Sequence, residues 1–378
     1  MFGEIMKDRI VSWYIRKILV PKIEEIDKPG FVMENLARAR LMNIVLRQVF
    51  LPEKILIDLE EKMVKKFDNV GKNVLYSIGK KFGYFYSHVS NFPTFRNDKN
   101  FMSFLDYTIK YIETTYAGKI NYTLKDKIIS FKMKDYIICS RNGIGYLFSS
   151  GGIAGIWAYV TQDPKVEAVK PKCQGRGDRE CEVISATYEN LVKIGYKPMK
   201  CTDIVYLKGR DHRYEEINKI ALTNWAKKSL KTLIDSGFIK YKHGQIIYHN
   251  ERFFEFEINF MYIIEKELSA LKGASDVLWN VSFEWGKELA NEVGKQEPVK
   301  FIMDFFPALG FGDILVKKNP WKVMVNYFPW TRLYEEVNFV MFRGMISGLI
   351  CGLTGNVVRL EKTKKTLYNK GFSITFEE

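Results

Sequence analysis

Two cysteines flank a glycine-rich turn near the middle of the chain, and their spacing suits metal binding. Cys173 and Cys181 are separated by seven residues, so a hairpin would bring their thiols face to face. Thiolates hold Zn²⁺ at about 2.3 Å each, and a structural zinc site almost always has four ligands. Cys139 and Glu167 are the candidates for the other positions. Because no C-x-x-C pair is present, the alternative is two reduced thiols in a hairpin without metal.

The turn between these cysteines contains Gly175, Gly177 and Asp178. Glycines at this spacing occur in phosphate-binding loops, but the Lys-Ser/Thr pair that completes such a loop is missing. A tight turn explains the residues better, because Gly adopts positive φ easily and Asp caps its own backbone. We therefore expect a hairpin turn and no phosphate site here.

Aromatic residues are abundant, with 27 Phe, 21 Tyr and 7 Trp. Four of them are candidates for an apolar ligand pocket in the first half of the chain: Phe82, Phe85, Trp157 and Tyr159. Aromatic side chains at helical spacing also fill ordinary cores. Both interpretations, a pocket and a filled core, stay open at this point.

The formal charge of +14 favours an acidic partner such as RNA or DNA. The middle of the chain is especially basic, and its candidate phosphate contacts are Arg210, Arg213, Lys227, Lys228, Lys231, Lys240 and Lys242. Two predicted helices, Tyr214 to Ala226 and Lys227 to Ser236, precede two short strands there, which is the order of a winged helix-turn-helix. The alternative is a connecting helix followed by the opening hairpin of a second domain.

No catalytic constellation is evident. The histidines are His88, His212, His243 and His249, and none has an evident Ser or Cys partner. Paired-carboxylate, Walker and dinucleotide-binding patterns are also missing. We therefore expect a protein that is not an enzyme.

Hydrophobic segments, cysteine content and overall composition indicate the environment of the protein. The sequence contains no uncharged stretch long enough for a transmembrane helix and no signal peptide, which predicts a cytoplasmic protein. The five cysteines are too few and too irregularly spaced for a disulfide framework. The Lys-rich, Gln-poor composition fits a thermophile or an AT-rich genome.

The chain resembles itself at a spacing of about 200 residues. The run Val74-Leu-Tyr-Ser-Ile-Gly-Lys-Lys-Phe-Gly83 aligns with Val277-Leu-Trp-Asn-Val-Ser-Phe-Glu-Trp-Gly286. Apolar residues recur every fourth position in both runs through Tyr86 and Leu289, which predicts one face of a helix. Gly83 and Gly286 occupy the same place, where we expect another backbone to approach closely. The sequence thus predicts a tandem repeat.

Each copy continues with a second helix and an antiparallel strand pair, and it closes with a helix and a hairpin. The closing helices align Gly152-Ile-Ala-Gly155 with Gly344-Met-Ile-Ser-Gly348, and we expect their small residues to let the helix pack tightly on a sheet. The hairpins align Cys173 with Lys365 and Cys181 with Ser373, so the second copy lacks both thiols. Helices followed by a meander predict an α+β fold, with the two copies forming an internal pseudo-dimer.

These motifs resemble a known family. The run Gly151-Gly-Ile-Ala-Gly155, followed by Cys173-x-Gly-x-Gly-Asp-x-x-Cys-Glu182, resembles the closing signature of the 4-vinyl reductase domain. The run Gly244-Gln-Ile-Ile-Tyr-His-Asn-Glu-Arg-Phe-Phe254 resembles its opening, as do Glu267-Leu and Trp285-Gly-Lys-Glu-Leu-Ala290. The resemblance predicts an N-terminal helical extension at 1–30, a first copy at 31–186, a basic linker at 187–243 and a degenerate second copy at 244–378.

The same resemblance implies functional properties. The family is shared with the sensor domains of phenol- and xylene-responsive activators. It implies helices against an antiparallel sheet, frequent homodimers, an apolar ligand pocket and sometimes a zinc in the hairpin region. This chain departs from the family at Lys170, where zinc-binding members place a carboxylate.

We expect a regulatory sensor or scaffold that binds a small apolar ligand through the first copy. We also expect at most one zinc, with Cys173, Cys181 and Cys139 as its candidate ligands. Three alternatives stay open: an RNA- or ribosome-associated factor, a DNA-binding regulator with a winged-helix linker, and a cofactor-dependent reductase. Fold resemblance by itself does not carry an activity from one protein to another.

Overall fold

The computed structural model describes Trp13 and residues 28–33, 46–90, 92–96, 99–116, 119–136, 146–204, 225–242, 245–294, 297–329, 337–368 and 371–378. The described residues form helices and three antiparallel sheets, so the predicted α+β class is confirmed. Within the same residues, no helix is both long enough and apolar enough to cross a membrane.

The chain divides into two compact units. Unit 1 comprises Met1–Lys22 and Glu60–Gly209, and unit 2 comprises Ile23–Leu59 and Arg210–Glu378.

Unit 1 contains a four-stranded sheet with the strand order β3-β4-β6-β5. Its helices and strands are, in chain order, the main part of α1 (Glu53–Val89, whose first seven residues belong to unit 2), α2 (Lys99–Tyr116), β3 (Lys119–Lys125), β4 (Ile128–Lys134), α3 (Tyr146–Thr161), β5 (Val166–Lys172), β6 (Cys181–Thr187) and α4 (Tyr188–Lys193). Asp68, with φ at 45° and ψ at −122°, interrupts the helical backbone of α1.

Unit 2 contains a four-stranded sheet with the order β10-β11-β13-β12 and a five-stranded sheet with the order β1-β2-β9-β8-β7. Its elements are β1 (Val32–Met33), β2 (Arg47–Pro52), α5 (Leu230–Asp235), β7 (Lys240–Lys242), β8 (Gln245–Tyr248), β9 (Glu251–Glu257), α6 (Asn259–Ser269), α7 (Ala274–Val293), α8 (Pro298–Ala308), β10 (Asp313–Lys317), β11 (Lys322–Asn326), α9 (Val340–Thr354), β12 (Glu361–Tyr368) and β13 (Gly371–Glu377).

The five-stranded sheet joins the segments that precede the helices of the two predicted copies. Strand β2 pairs with β9 in antiparallel register, with Phe50 opposite Glu255. Arg252, in β9, donates two hydrogen bonds to the carboxylate of Glu53, and both side chains are buried. Such a fork-to-carboxylate pair fixes geometry as well as adding stability.

The order of elements from α1 to β6 in unit 1 recurs from α7 to β13 in unit 2. In both, a long helix and a shorter helix precede two strands, a glycine-containing helix and two further strands. The strand orders β3-β4-β6-β5 and β10-β11-β13-β12 are the same pattern. Side chains of β4 alternate between the two faces of the sheet, because Ile129 and Met133 are buried while Lys132 and Lys134 are exposed.

The predicted close approach at Gly83 and Gly286 is confirmed. A Cβ atom at Gly83 would lie 2.1 Å from the carbonyl oxygen of Gly152, and one at Gly286 would lie 2.2 Å from that of Met345. The partner glycines behave alike. A Cβ at Gly155 would lie 2.0 Å from Lys80 O, and one at Gly348 would lie 1.9 Å from Phe283 O. Helix α3 thus meets α1 as α9 meets α7.

These contacts correct two expectations. The glycines of α3 and α9 lie inside the helices and pack on another helix, whereas we expected helix starts that pack on a sheet. The predicted alignment of Gly152 with Gly344 is wrong by one residue. Gly151 packs on Gly79, and Gly344 packs on Ser282, four residues before Gly286. Gly151 therefore corresponds to Gly344, and no extra residue is present between it and Gly155.

The hairpin alignment of Cys181 with Ser373 is also wrong. Cys181 is buried opposite Met133 in the core of unit 1. In unit 2 the core-facing residue opposite Val325 is Ile374, and Ser373 lies opposite Asn326 instead. Since side chains alternate between the faces of a strand, Cys181 corresponds to a core-facing residue of β13 and not to Ser373. The conclusion that the second copy has no thiol here is unaffected.

Candidate functional site

The hairpin of unit 1 places Cys173 and Cys181 together. Both cysteines are buried and free of a disulfide bond, and the N–H of Gln174 lies 3.4 Å from Cys181 Sγ. Gly177 has a φ of 100°, and Asp178 Oδ2 accepts a hydrogen bond from the N–H of Cys173 at 2.7 Å. The turn explanation for these residues is therefore confirmed.

A carboxylate that the sequence did not reveal lies beside this hairpin. Glu60, buried on α1, accepts hydrogen bonds from the N–H of Leu147 at 3.3 Å and from the guanidinium of Arg176. Burial raises the pKa of Glu60 to about 7, and the positive charges of Arg176 and Lys170 oppose this rise. A negative charge on Cys173 would also raise the pKa of Glu60.

Glu60 thus approaches the hairpin from a position far away in sequence. Lys170 is buried, with Nζ at 5.9 Å from the centre of the Tyr146 ring. The only sequence signal for Glu60 was its place beside Leu59 and Met63 on the apolar stripe of α1. A charged residue beside such a stripe is easily taken for a solvated one.

The metal ligands are only partly described. Cys139 lies outside the described residues. Among the residues with described positions, no group of three or more His, Cys, Asp or Glu side chains is arranged to hold a metal ion. Glu167, the other candidate ligand, is engaged elsewhere. The two thiols of the hairpin are therefore the described part of the predicted zinc site.

Glu167 belongs to a buried polar network in the core of unit 1. Its Oε1 lies 2.8 Å from Lys80 Nζ and accepts a hydrogen bond from the N–H of Cys201 at 2.8 Å. Its Oε2 accepts a hydrogen bond from the hydroxyl of Tyr76 at 2.7 Å, and that hydroxyl accepts one from the N–H of Ala168 at 2.9 Å. Burial raises the pKa of Glu167 and of the Tyr76 hydroxyl.

Lys80 completes this network. Besides its ion pair with Glu167, Nζ donates to the carbonyl oxygens of Cys201 at 2.5 Å and Pro164 at 3.0 Å. Lys80 and Glu167 together bind both the N–H and the C=O of Cys201, and burial raises the pKa of the Cys201 thiol. The network therefore fixes the backbone of the segment that follows α4.

The four predicted pocket residues occupy different surroundings. Phe85 and Trp157 are buried, and the indole N–H of Trp157 donates to Lys127 O at 2.9 Å. Phe82 and Tyr159 are partly exposed, and their rings contact Tyr86 and Tyr84, at 5.9 and 5.4 Å between centroids. Trp157 and Tyr159 are two positions apart on one helix, so they point in nearly opposite directions.

The predicted nucleic-acid contacts are also separated. Arg210 and Arg213 lie outside the described residues. Helix α5 begins only at Leu230, so Lys227 and Lys228 precede it, and Lys231 forms an ion pair with Asp235 at 3.0 Å. Lys240 and Lys242 lie on β7, the edge strand of the five-stranded sheet. Strands β7 and β8 continue into β9, as expected for an opening hairpin of the second copy.

Comparison with known proteins gives no assignment: no family model matches the chain, and no curated protein matches it significantly. The likeness to 4-vinyl reductase domains stays a prediction that rests on the quoted motifs.

Proposed function

We propose that this chain is a regulatory sensor or scaffold whose unit 1 binds a small apolar ligand. The proposal rests on one observation, which is a set of aromatic side chains that unit 1 leaves partly exposed. We call this set the aromatic cluster, and its members are Phe82, Tyr84, Tyr86, Phe92, Phe95 and Tyr159.

The rings of the aromatic cluster contact one another between the end of α1, the loop after it, and α3. The ring of Tyr86 lies 5.9 Å from that of Phe92, and Tyr84 meets Tyr159 edge to face at 5.4 Å. Phe95 contacts the buried Trp157 at 6.3 Å. Rings that are ordered by their neighbours yet remain accessible offer apolar area at a small entropic cost, as ligand sites do.

Unit 2 provides the contrast on the same order of elements. Six phenylalanine rings of its core are buried against one another: Phe305, Phe306, Phe311, Phe328, Phe339 and Phe342. At the positions that correspond to Tyr84 and Tyr159, unit 2 has Lys287 and Gly352, whose atoms also adjoin each other. The ring pair is thus particular to unit 1, which supports binding of the apolar ligand there.

Titration of the full chain with the apolar dye Nile red tests the proposal. Tyr84→Lys and Tyr159→Ala should each weaken dye binding by at least about tenfold, which corresponds to roughly 1.4 kcal/mol. The control is Val192→Ser with Ile194→Ser, which removes exposed apolar side chains elsewhere on unit 1. Equal binding by the parent and by both ring variants would contradict the proposal, and so would loss of binding in the control.

A second candidate function, non-specific nucleic-acid binding, is favoured by the sheet edge of unit 1. Lys119 on the edge strand β3 lies directly opposite Lys134, and Lys132 and Lys125 share the exposed face. Like charges directly opposite each other destabilise a sheet, and a phosphate backbone would compensate them. Unit 2 has basic residues of its own near α5 and on β7, among them Lys227, Lys231 and Lys240.

The salt dependence of RNA and DNA binding tests this second function. Each phosphate contact contributes about one unit to the slope of log affinity against log salt. Neutralising Lys119, Lys132 and Lys134 should therefore flatten the slope, as should neutralising Lys227, Lys231 and Lys240. If the parent binds neither polymer, or both triple variants retain its slope, these lysines are only solvated surface.

A further inference from the structure

Two arginines of unit 2, one buried and one exposed, contact the ring of Trp279. The guanidinium carbons of Arg343 and Arg359 are 5.3 and 4.8 Å from the ring centre of Trp279. Phe283 stacks beside Trp279, with 6.4 Å between ring centres and 19° between ring planes. Both rings are partly exposed. We refer to Trp279, Phe283, Val357 and Arg359 as the Trp279 surface.

The two arginines differ in what they can offer a partner. Arg343 is buried and donates to Leu360 O at 2.8 Å, to Asn338 O at 3.0 Å and to Glu361. Arg359 is 66% exposed, and its Nε lies 3.1 Å from Glu361 Oε1. Its remaining N–H groups can therefore reach a carboxylate from outside.

Val357 adds apolar area beside Arg359. It is 83% exposed, more than any other large hydrophobic side chain of the described residues. Val357 and Arg359 are two residues apart in a non-helical segment, and side chains at this spacing in an extended chain point to the same side. The Trp279 surface thus combines two rings, one aliphatic side chain and one accessible positive charge.

Unit 1 shows what covers the corresponding place there. Because Gly83 and Gly286 make the same backbone approach, Tyr76 corresponds to Trp279 and Lys80 to Phe283. Tyr76 and Lys80 are completely buried. Lys80 and Glu167 bind the backbone of Cys201, whose non-helical segment, residues 199–204, packs its apolar side chains on the same core.

In each unit a charged group lies beside the residues at this place. Glu167 accepts the hydrogen bond of the Tyr76 hydroxyl, and Arg359 stacks on Trp279. In unit 1, the ion pair of Lys80 and Glu167 thus binds the backbone of the segment that contains Cys201. At the same place unit 2 presents rings and an arginine, and both remain accessible.

We propose that the Trp279 surface binds a non-helical peptide segment of a partner protein that carries a carboxylate next to an apolar side chain. The carboxylate would pair with Arg359, where a guanidinium can bind both oxygens. The apolar side chain would pack on Trp279, Phe283 and Val357, since aromatic and arginine residues dominate the energetics of such contacts. This inference goes beyond the ligand proposed for unit 1 and does not depend on it.

Selection of nonapeptides from a random display library against the full chain tests this inference. The selected peptides should share an acidic residue within two positions of an apolar residue. A synthetic peptide of the selected consensus should bind the Arg359→Glu variant at least about tenfold more weakly, because the charge at the surface is reversed. Trp279→Ala should also weaken binding of the same peptide. Because Arg359 is exposed, Arg359→Glu should not destabilise the fold.

The matched control is Lys272→Glu, which reverses an exposed charge elsewhere in unit 2 and should leave binding unchanged. Three results would overturn the proposal: no consensus with a carboxylate, equal loss of binding in the control, or equal binding by Arg359→Glu and the parent. A single-stranded oligouridine that binds in a Trp279-dependent manner, while the peptides do not, would also overturn it and would assign the surface to RNA.

Discussion

Lys80 Nζ lies 2.8 Å from Glu167 Oε1, and both side chains are completely buried. The two residues come from α1 and β5, so the ion pair joins the helical and sheet layers of unit 1. Lys80 also donates hydrogen bonds to the carbonyl oxygens of Pro164 and Cys201. A buried pair with this degree of hydrogen bonding avoids the cost of an unpaired internal charge.

Lys80→Met should lower the free energy of unfolding by roughly 3–5 kcal/mol, because it leaves the Glu167 carboxylate buried without its partner. Urea unfolding measures this loss. The double variant Lys80→Met with Glu167→Gln has no uncompensated charge and should recover part of it. An unfolding midpoint for Lys80→Met equal to that of the parent would show that the pair is not closed in solution.

The glycine contacts between α3 and α1 predict that alanine substitutions at two positions of α3 will change stability in opposite directions. Gly155→Ala should destabilise the protein by roughly 1–3 kcal/mol, because its Cβ would overlap Lys80 O. Gly348→Ala should do the same in unit 2. Gly152→Ala is the control, since the nearest atom to its Cβ would be Gly79 O at 3.9 Å. Alanine should be tolerated or stabilising there, as helix propensity favours it.

Thermal unfolding of the three alanine variants checks this prediction. If Gly155→Ala and Gly152→Ala shift the midpoint equally, the helices do not meet at the glycines. Similar losses of stability in Gly155→Ala and Gly348→Ala would additionally support the correspondence of the two helix pairs.

The buried carboxyl of Glu265 should make the free energy of unfolding decrease as the pH rises. Its buried carboxyl accepts a hydrogen bond from the N–H of Met341 at 3.3 Å, and burial raises its pKa from 4.5 to about 7. Below pH 4.5 both folded and unfolded states hold the proton, so the contribution of this group is complete. Between pH 4.5 and 7 the unfolded state loses its proton while the folded state keeps it, and stability therefore decreases.

Glu265→Gln should flatten the dependence of unfolding free energy on pH between about 5 and 7, since the amide stays neutral and can still accept the Met341 hydrogen bond. Denaturant titrations at several pH values measure this slope. Glu284→Gln, at an exposed position, is the control and should keep the slope of the parent. A slope unchanged by Glu265→Gln would mean that this carboxyl is ionised in the folded protein at neutral pH.

The two buried thiols of the hairpin predict at most one zinc per chain. Elemental analysis of the purified protein should give no more than one equivalent. Cys173→Ser should remove it, because zinc needs the thiolate. Two zinc ions per chain would be inconsistent with the prediction, as would a metal-free protein whose Cys173 and Cys181 are freely alkylated.

The helix contacts could be predicted because their signal is local. Apolar residues at every fourth position fixed the faces of α1 and α7, and Gly83 and Gly286 marked where another backbone approaches. The α+β class followed from the order of these helices and of alternating strands such as β4. These features depend on short stretches of sequence with a regular period.

The hairpin register and the polar network could not be predicted. Both edge strands have a shift of register, between Val169 and Lys172 in β5 and between Lys362 and Lys364 in β12, and one inserted residue moves every later side chain to the other face. Lys80 looked like a solvated position of an amphipathic helix. Its partner Glu167 is 87 residues away, and no local pattern reports so distant a contact.

Amide hydrogen exchange with and without saturating Nile red tests the central claim, that unit 1 binds apolar ligands at the aromatic cluster. The account predicts that the dye slows exchange in residues 82–95 and in α3, where the cluster lies, and leaves α7 and α9 of unit 2 unchanged. Slowing confined to unit 2, or no slowing in unit 1 under conditions where the dye is bound, would contradict it.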